Sequence, residues 1–454
     1  MNQRCLRFPL GICLLLLAVP RSLGADWPQF LGPQRTGHTS ETNLVSSWPQ
    51  SGPKRIWSLD IGTGYSAPSV RGTQLVLHHR VKDEEVVEAF SAATGERLWR
   101  HAYPSHFVDP FGYNNGPRSS PLLTEDKCYT FGAEGILLCL DRATGKRIWI
   151  RETAADFKIP QAFFGVGSTP VLDSGLLHVM VGGQPDAGMA AFNPDTGETV
   201  WTNVGKKTWE GKPKTGWRGE PTVIWRDYAK QASYATPVPA VIHGQKHLLC
   251  FMRQGLVSLD PESGKERFSF WFRARVNESV NAMNPVVKDD FILLSAAYYG
   301  IGSVLLQVQA DGKSVKEIWR DDVLEMHWST PILHDGYLYG FSGRNEPDAR
   351  LRCVEFATGR LMWDRDERWR KGYRAPDKFG RGSFVMADNK LYALGEAGLL
   401  GIFEANPKKL TEVVRYQVPD LKYPCWAAPV IAYQKLYLRS ESKLICYDIA
   451  APNL

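Results

Sequence analysis

Short apolar stretches separated by polar turns recur along almost the whole chain. Residues 139–149 combine an apolar strand end, an Ala143-Thr144-Gly145 turn and a second strand that closes on a Trp. The same eleven-residue pattern returns at 89–99, 191–201 and 353–363, and a weaker copy lies at 258–268. Apolar runs bounded by turn residues at such spacing predict β-hairpins, and their repetition predicts a repeat architecture.

Each repeat is predicted to contain four strands. The first follows a small residue and a Pro, as at Thr169-Pro170 and Thr330-Pro331, where a missing backbone N–H is tolerated. The second is apolar or alternating, the third enters the Thr-Gly turn, and the fourth carries the Trp. First-strand signals occur eight times, counting Ser383-Phe384, which lacks the Pro. Four strands per unit of about 45–50 residues are typical of β-propeller blades.

The two ends of the repeat array complement each other. The eighth repeat ends near Ile449 without a fourth strand, whereas residues 55–60 resemble a fourth strand and precede every complete repeat. Pairing of the two would close the ring and cover both exposed sheet edges. We therefore predict an all-β, eight-bladed propeller of four-stranded antiparallel blades over residues 55–450, closed by the strand at about 55–60.

The turn and the Trp of each repeat are predicted to be structural. Gly supplies the positive φ that a tight hairpin needs, and an outer-strand Trp can bury its ring against the neighbouring blade. The predicted blade-docking residues are Trp99, Trp149, Trp201, Trp319 and Trp363.

The first 24 residues have the pattern of a signal peptide. Arg4 and Arg7 precede an apolar run at about 10–19, and Ser22 and Gly24 are small residues suited to a cleavage site. The run is short for a membrane span. We expect an exported chain, in the periplasm or outside the cell, with only peripheral membrane contact.

Residues 25–54 are rich in Gly, Pro, Ser and Thr. They are expected to form an irregular arm laid over the surface and pinned by Trp27, Phe30 and Trp48.

Composition narrows the function classes without selecting one. The chain has 454 residues, is 22% charged and carries a net charge of +6, but it has no dense Lys/Arg run, so nucleic-acid binding is not indicated.

Cys128 and Cys139 would lie near each other across a turn, and they are either a disulfide or small buried strand residues. His243 and His247 lack further metal ligands nearby. No nucleophile, phosphate-loop or zinc motif is present.

Long loops precede most first strands, all on one face, and they carry many aromatic residues. One position in them recurs three residues before the first-strand Pro. In chain order it holds Tyr65, Arg118, Gly167, Tyr234, Ala282, Trp328, Arg381 and Trp426. We expect these residues to ring the channel mouth. The six large ones form either a binding site for an anionic or aromatic ligand, or a plug in which Arg packs on aromatic rings.

The repeated Ala-x-Asp-x-x-Thr-Gly-x-x-x-Trp pattern resembles the PQQ-like (quinoprotein) repeat family of eight-bladed propellers. The resemblance covers nearly all of residues 55–449, and Trp27-Pro-Gln-Phe-Leu-Gly-Pro is similar to the start of exported BamB-like members. Two branches follow from it. One contains PQQ-dependent dehydrogenases, and in the other, BamB-like branch the propeller is a protein-interaction scaffold.

The dehydrogenase branch implies an adjacent Cys pair and a metal-holding set beside the quinone, and neither can be mapped onto this sequence. The resemblance therefore implies a non-catalytic, monomeric scaffold that binds an envelope protein, a peptide segment or a small ligand. No cofactor and no catalytic or metal residues are expected. The alternative is a quinoprotein-type dehydrogenase with PQQ and calcium, or another envelope enzyme that uses carboxylates such as Asp109, Glu325, Glu367 or Asp377 in the face loops.

Overall fold

The chain folds into eight four-stranded antiparallel sheets, which confirms the predicted propeller. The computed structural model describes residues 24–159, 164–182, 188–203, 209–211, 223–225, 234–274, 279–370 and 377–452. The predicted signal peptide lies outside these residues apart from Gly24. Within the described part of the chain, no helix is long and apolar enough to cross a membrane.

Blades 1 to 4 follow the predicted order of innermost to outermost strand. Blade 1 has strands Ser69–Arg71, Gln74–Val81, Glu84–Ser91 and Arg97–Pro104, and blade 2 has Leu122–Leu123, Lys127–Phe131, Ile136–Asp141 and Arg147–Glu152. Blade 3 has Val171–Asp173, Leu176–Val179, Met189–Phe192 and Thr199–Asn203, and blade 4 has Val238–Ile242, Gln245–Met252, Gly255–Leu259 and Glu266–Trp271. A two-stranded sheet, Trp209–Gly211 with Val223–Trp225, lies between blades 3 and 4 in sequence.

Blades 5 to 8 complete the ring. Blade 5 has Val286–Lys288, Phe291–Ala296, Gly302–Val308 and Val315–Asp321, and blade 6 has Ile332–His334, Tyr337–Ser342, Arg350–Glu355 and Leu361–Asp366. Blade 7 has Gly382–Ala387, Lys390–Gly395, Leu399–Glu404 and Thr411–Gln417, and blade 8 has Val430–Ala432, Lys435–Arg439, Lys443–Asp448 and Lys54–Asp60. The described helices are short: an α-helix at Thr153–Asp156 and a 3-10 helix at Glu346–Asp348.

The ring closes as the sequence predicts. Lys54–Asp60 pairs antiparallel with Lys443–Asp448, so the first strand of the chain completes the last blade. Trp57 lies opposite Cys446 in this pair and donates its Nε1–H to the carbonyl of Ala92 in blade 1 at 3.2 Å. Trp57 is therefore a sixth docking tryptophan, which the repeat pattern alone did not single out.

Each docking tryptophan lies on the turn before the outermost strand of the next blade, and in all but Trp363 this turn contains a glycine under the ring. The ring of Trp149 packs on Gly197, where an added Cβ would come 2.8 Å from the ring, and its Nε1–H donates to the Pro194 carbonyl at 3.0 Å. Gly197 has a φ of +74°, so the turn needs glycine for backbone and space alike. Equivalent ring contacts join Trp99 to Gly145, Trp201 to Gly264, Trp319 to Gly359 and Trp57 to Gly95. Trp363 donates to the Asn406 carbonyl at 2.8 Å.

The core lies between successive blades. One cluster, for example, joins Met189 and Trp201 of blade 3 to Leu248 and Leu259 of blade 4. The six cysteines of the described chain are buried and free. Cys128 lies opposite Leu140, and Cys139 lies opposite Tyr129, so the suggested proximity of the two cysteines across the turn does not give a disulfide. Packing of small strand residues explains their positions.

The residue before the first-strand Pro ties blades 1 to 6 together, a role that sequence reasoning missed. Its backbone N–H donates to the side-chain oxygen at the same position of the next blade. The chain of bonds runs from Ala67 to Ser120 (3.0 Å), Ser120 to Thr169 (3.2 Å), Thr169 to Thr236 (3.3 Å), Thr236 to Asn284 (2.8 Å) and Asn284 to Thr330 (3.1 Å). Small hydroxyl and amide side chains therefore satisfy buried N–H groups around the channel.

Candidate functional site

The eight positions of the predicted ring meet in one cavity at the loop-rich end of the propeller axis. All eight of them, from Tyr65 through Arg118, Gly167, Tyr234, Ala282, Trp328 and Arg381 to Trp426, line a space of about 300 Å³. The repeat brings them together because each stands at the same point before the innermost strand of its blade. A cavity of this size suits a small molecule or a single large side chain.

Aromatic rings form a continuous wall on one side of the cavity. The ring centroid of Trp426 lies 4.9 Å from that of Tyr65, 5.2 Å from that of Trp328 and 5.6 Å from that of Tyr113. Such tilted contacts between rings are the arrangement that aromatic quadrupoles favour. The wall would accept another flat ring in the same way.

Further aromatic residues come from the loops, where no repeat position marks them. Phe111 and Tyr113 stand on the loop before blade 2 and lie 5.4 and 5.7 Å from Phe164. Both remain 53% exposed, so they form an apolar rim around the mouth of the cavity. The richness of these loops in aromatic residues was the available signal, but spacing could not select these particular ones.

Gly167 does not leave a gap in the wall of the cavity, although it has no side chain. A Cβ there would lie 2.8 Å from the ring of Tyr234, whose hydroxyl accepts a 2.8 Å hydrogen bond from the Phe164 backbone N–H. Glycine is needed so that Tyr234 can pack close to the wall. Burial raises the pKa of Tyr234, so its hydroxyl stays protonated.

Arg118 is bound to a carboxylate within its own loop. Its Nη2 lies 2.6 Å from Oδ2 of Asp109, whose side chain is fully buried, and it also donates to the Asn114 carbonyl at 2.8 Å. The guanidinium carbon lies 5.6 Å from the centre of the Tyr65 ring and 5.2 Å from that of Phe107. Burial lowers the pKa of Arg118 despite the opposing effect of Asp109. Its charge is balanced inside the protein.

The positive charge of Arg381 is balanced by two carboxylates, whereas that of Arg118 is balanced by one. Its Nη2 lies 2.7 Å from the fully buried Glu396 carboxylate and 3.1 Å from that of Glu346. The guanidinium also stacks on Trp328 and Trp426, 4.6 and 5.4 Å from the ring centres. Burial opposes the charge, but the two carboxylates outweigh burial and raise the pKa of Arg381. Both ring arginines therefore have the aromatic contacts of the plug hypothesis, yet a cavity remains between them.

Arg344 is the cavity arginine without a carboxylate partner among the described residues. It follows the second strand of blade 6, and its guanidinium lies over the rings of Tyr298 and Tyr299, at 4.7 and 4.5 Å from their centres. Stacking on two rings holds the planar guanidinium in one orientation while leaving its N–H edge unused. Sequence reasoning missed this residue because it lies outside the repeated position.

The buried His327 lies between Arg381 and Tyr298, and the ring of Tyr298 is one of the two that Arg344 covers. His327 Nδ1 lies 3.4 Å from Nη1 of Arg381, which can only donate, so Nδ1 accepts and Nε2–H faces the Tyr298 hydroxyl at 3.2 Å. Burial, with Arg381 and Arg344 adding to it, lowers the pKa of His327 well below its ordinary value. Burial likewise raises the pKa of Tyr298 to about 12. Both groups are therefore neutral at physiological pH.

Comparison with known proteins identifies the repeat. The family model for outer membrane protein assembly factor BamB matches residues 36–211 and 82–365. BamB from Moraxella catarrhalis is structurally similar, with a TM-score of 0.56, 13% identity, and coverage of 88% of this chain and 98% of that one. Quinohemoprotein alcohol dehydrogenase from Comamonas testosteroni is also similar, with a TM-score of 0.64, 13% identity, and coverage of 94% and 81%. No curated protein matches the sequence.

A europium-containing methanol dehydrogenase is another structural neighbour, with a TM-score of 0.52, 11% identity, and coverage of 93% of this chain and 89% of that one. At such identities the likeness concerns the fold alone, and this fold is shared by BamB and by dehydrogenases.

The residues of the cavity can be tested against the quinone that the dehydrogenases imply. Pyrroloquinoline quinone is a planar tricarboxylate used with a metal ion, so its site needs several uncommitted cations and a set of metal ligands. Here Arg118 and Arg381 already bind carboxylates, which leaves Arg344. In the described residues no group of three or more His, Cys, Asp or Glu side chains is placed to hold a metal ion. The donor set of the described residues therefore does not fit this cofactor.

Proposed function

The chain belongs to the PQQ-like repeat family represented by outer membrane protein assembly factor BamB, and we propose that it is an exported, non-catalytic binding protein. Its loop-rich face takes an aromatic group that carries a negative charge into the axial cavity. The group is either part of a small ligand or the end of an envelope protein segment. The two sources share one chemistry, a flat ring beside an anion.

One observation carries the proposal: aromatic rings line the cavity, and its single uncommitted guanidinium among the described residues is Arg344. Binding of a flat ring is favoured by stacking against Trp426 and its neighbours and by removal of the ring from water. The anionic group gains a charge-assisted hydrogen bond to Arg344, whose plane is fixed by two rings and which has no carboxylate partner in the part of the chain that the structure describes.

The carboxylates near the cavity are poorly placed for acid–base catalysis. Asp109 and Glu396 are fully buried and bound to the ring arginines. Glu367 accepts a 2.7 Å hydrogen bond from the Phe379 N–H and pairs with Arg365. Glu325 has a pKa raised to about 7 by burial and by Asp322, but it does not line the cavity. A catalytic base must reach its substrate, so these positions favour binding over catalysis.

Binding of naphthalene-1-sulfonate, followed by its fluorescence, tests the proposal directly. The Arg344→Gln variant should bind this aromatic monoanion roughly ten- to hundredfold more weakly, because a hydrogen bond to a charged group contributes about 1.5–3 kcal/mol. Arg360→Gln is the matched control, since Arg360 is 63% exposed on a turn at the opposite end and pairs with Glu355. Equal affinity of wild type and Arg344→Gln would refute the anion-binding role.

Two peptides distinguish the two sources of the ligand. One ends in Trp with a free carboxylate, and the other has the same sequence with an amidated end. Competition by the acid form alone points to a protein segment with an aromatic end, whereas failure of both peptides to displace the dye points to a small ligand.

Dye-linked alcohol oxidation in the presence of added quinone and Ca²⁺ tests the alternative. The proposal predicts no turnover and no stoichiometric bound quinone. Turnover with bound quinone would assign the chain to the catalytic branch.

A further inference from the structure

The first part of the N-terminal arm reaches the axis of the propeller. Residues 27–39 cross the end of the central channel that is opposite the loop-rich face. Trp27 exchanges two 2.8 Å backbone hydrogen bonds with Val70, and the backbone N–H of Leu123 donates to the carbonyl of Pro28 at 2.8 Å. Both partners belong to innermost strands, of blades 1 and 2. The arm therefore enters the ring on its axis.

The other half of the crossing is anchored on three more blades. Arg35 Nη2 donates to the Leu172 carbonyl of blade 3 at 3.1 Å. Met386 of blade 7 donates its N–H to the Gly37 carbonyl at 2.8 Å and accepts from the Thr39 N–H at 3.0 Å. Gly37 also packs on Ile332 of blade 6, because a Cβ there would lie 2.5 Å from Ile332 Cδ1. The crossing thus joins innermost strands on several sides of the channel.

Between these anchors, Phe30 and Leu31 line the same cavity as Trp426 and Arg344. Leu31 is 4% exposed and has a φ of +60°, a conformation that costs a residue with a side chain about 1–2 kcal/mol. Gly32 follows with a φ of +79° and packs on the ring of Trp27. The surrounding contacts hold the tip in a strained shape that presents Leu31 to the cavity, and strain of this kind is common at functional sites.

We infer that the arm tip, defined as Phe30 and Leu31, is the floor of the binding cavity and sets the largest aromatic group that it accepts. The cavity is consequently blind. A ligand enters and leaves through the loop-rich mouth, and no chain threads through the ring. This inference rests on the proposed function for the identity of the ligand, but the position of the floor is independent of it.

Two probes of equal charge and different ring size measure the effect of the floor. Naphthalene-1-sulfonate and pyrene-1-sulfonate each carry one sulfonate for Arg344. Wild-type protein should bind the naphthalene probe at least about tenfold more tightly than the pyrene probe, because the closed end leaves no room for the larger ring. A deeper cavity should remove this preference.

Leu31→Gly is the informative variant because glycine adopts a φ of +60° without strain and removes the side chain at the floor. Phe30→Ala is the second variant, since Phe30 shares the floor. In both, affinity for pyrene-1-sulfonate should rise about tenfold while affinity for naphthalene-1-sulfonate changes less than about threefold. Gln34→Ala is the control, because Gln34 is an exposed residue of the same arm outside the cavity lining.

The outcomes separate the two proposals. If wild type binds the naphthalene probe through Arg344 but the arm variants keep the wild-type preference, the floor is elsewhere and this inference fails alone. If wild type binds neither probe, the proposed function fails, and xenon then decides the inference because xenon enters apolar cavities of folded proteins. The ¹²⁹Xe shift of bound xenon should move in Leu31→Gly and stay fixed in Gln34→Ala. An unmoved shift would place the floor away from Leu31.

Discussion

The two ends of the propeller axis use the same repeat in opposite ways. At the end that carries the Thr-Gly turns, here called the turn end, blades 1 to 4 and blade 6 repeat one contact, a turn glycine that receives the tryptophan ring of the previous blade, as in Gly197 with Trp149. At the loop-rich face, here called the loop end, the equivalent position holds five different residue types among the eight blades, from Gly167 to Trp426. One end is therefore largely uniform and the other is varied, although both belong to the same strands.

The contrast distinguishes the contacts that stabilise the ring from the positions that are free to differ between blades. In a repeat protein, stability accumulates from identical contacts between neighbours, so the turn end has little freedom to vary. The loop end lies outside that constraint and can accept buried ion pairs such as Arg381 with Glu396, as well as Arg344, for which the described residues provide no carboxylate. Residues that depart from the repeat are consequently the ones to examine for binding.

At the turn end, the largest loss of stability should follow from removal of a docking tryptophan ring. Trp149→Ala should lower the free energy of unfolding by about 3–5 kcal/mol, because it leaves a cavity and removes one of the two hydrogen bonds that the Pro194 carbonyl accepts, the other coming from Tyr129. Urea denaturation measures this. Probe binding by the protein that remains folded should be unchanged, since Trp149 does not line the cavity. A loss below about 1 kcal/mol would contradict the docking role.

A smaller loss of stability should follow when the turn glycine is replaced by a residue with a side chain. Gly197→Ala is expected to cost about 2–3 kcal/mol, from a φ of +74° and from a Cβ placed 2.8 Å from the Trp149 ring. Gly175→Ala is the matched control, because Gly175 has a φ of +75° with open space around it and should cost only about 1 kcal/mol. Equal losses in the two variants would mean that backbone strain alone requires glycine here.

The smallest effect concerns pH at the loop end. Burial, with Asp322 adding to it, raises the pKa of Glu325 from 4.5 to about 7, so the folded protein holds this proton more tightly than the unfolded chain does. The contribution of Glu325 to stability should therefore be fully present below about pH 4.5 and be lost as the pH rises through about 7. The shift corresponds to at most about 3 kcal/mol, and partial exposure of the side chain to water reduces the expected loss to about 1 kcal/mol. Glu325→Gln should remove this part of the decline in thermal unfolding. An unchanged pH profile would place the titration elsewhere.

The sequence by itself determined the blade count, the closure by residues 55–60 and the eight positions that meet around the axis. These follow from local spacing, because one repeated strand order places equivalent residues at equivalent points of every blade. Trp149 and its turn could be interpreted for the same reason, since their contact is copied from blade to blade.

Only the tertiary structure decided which charges are free and where the arm runs. Whether an arginine is available depends on carboxylates brought to it by folding, such as Asp109 for Arg118 and Glu396 for Arg381, and no repeat spacing encodes them. The path of the arm depends on contacts between residues far apart in sequence, such as Arg35 with Leu172. Periodicity reports what recurs, whereas Arg344 and the tip at Phe30 and Leu31 occur once and are defined by their surroundings.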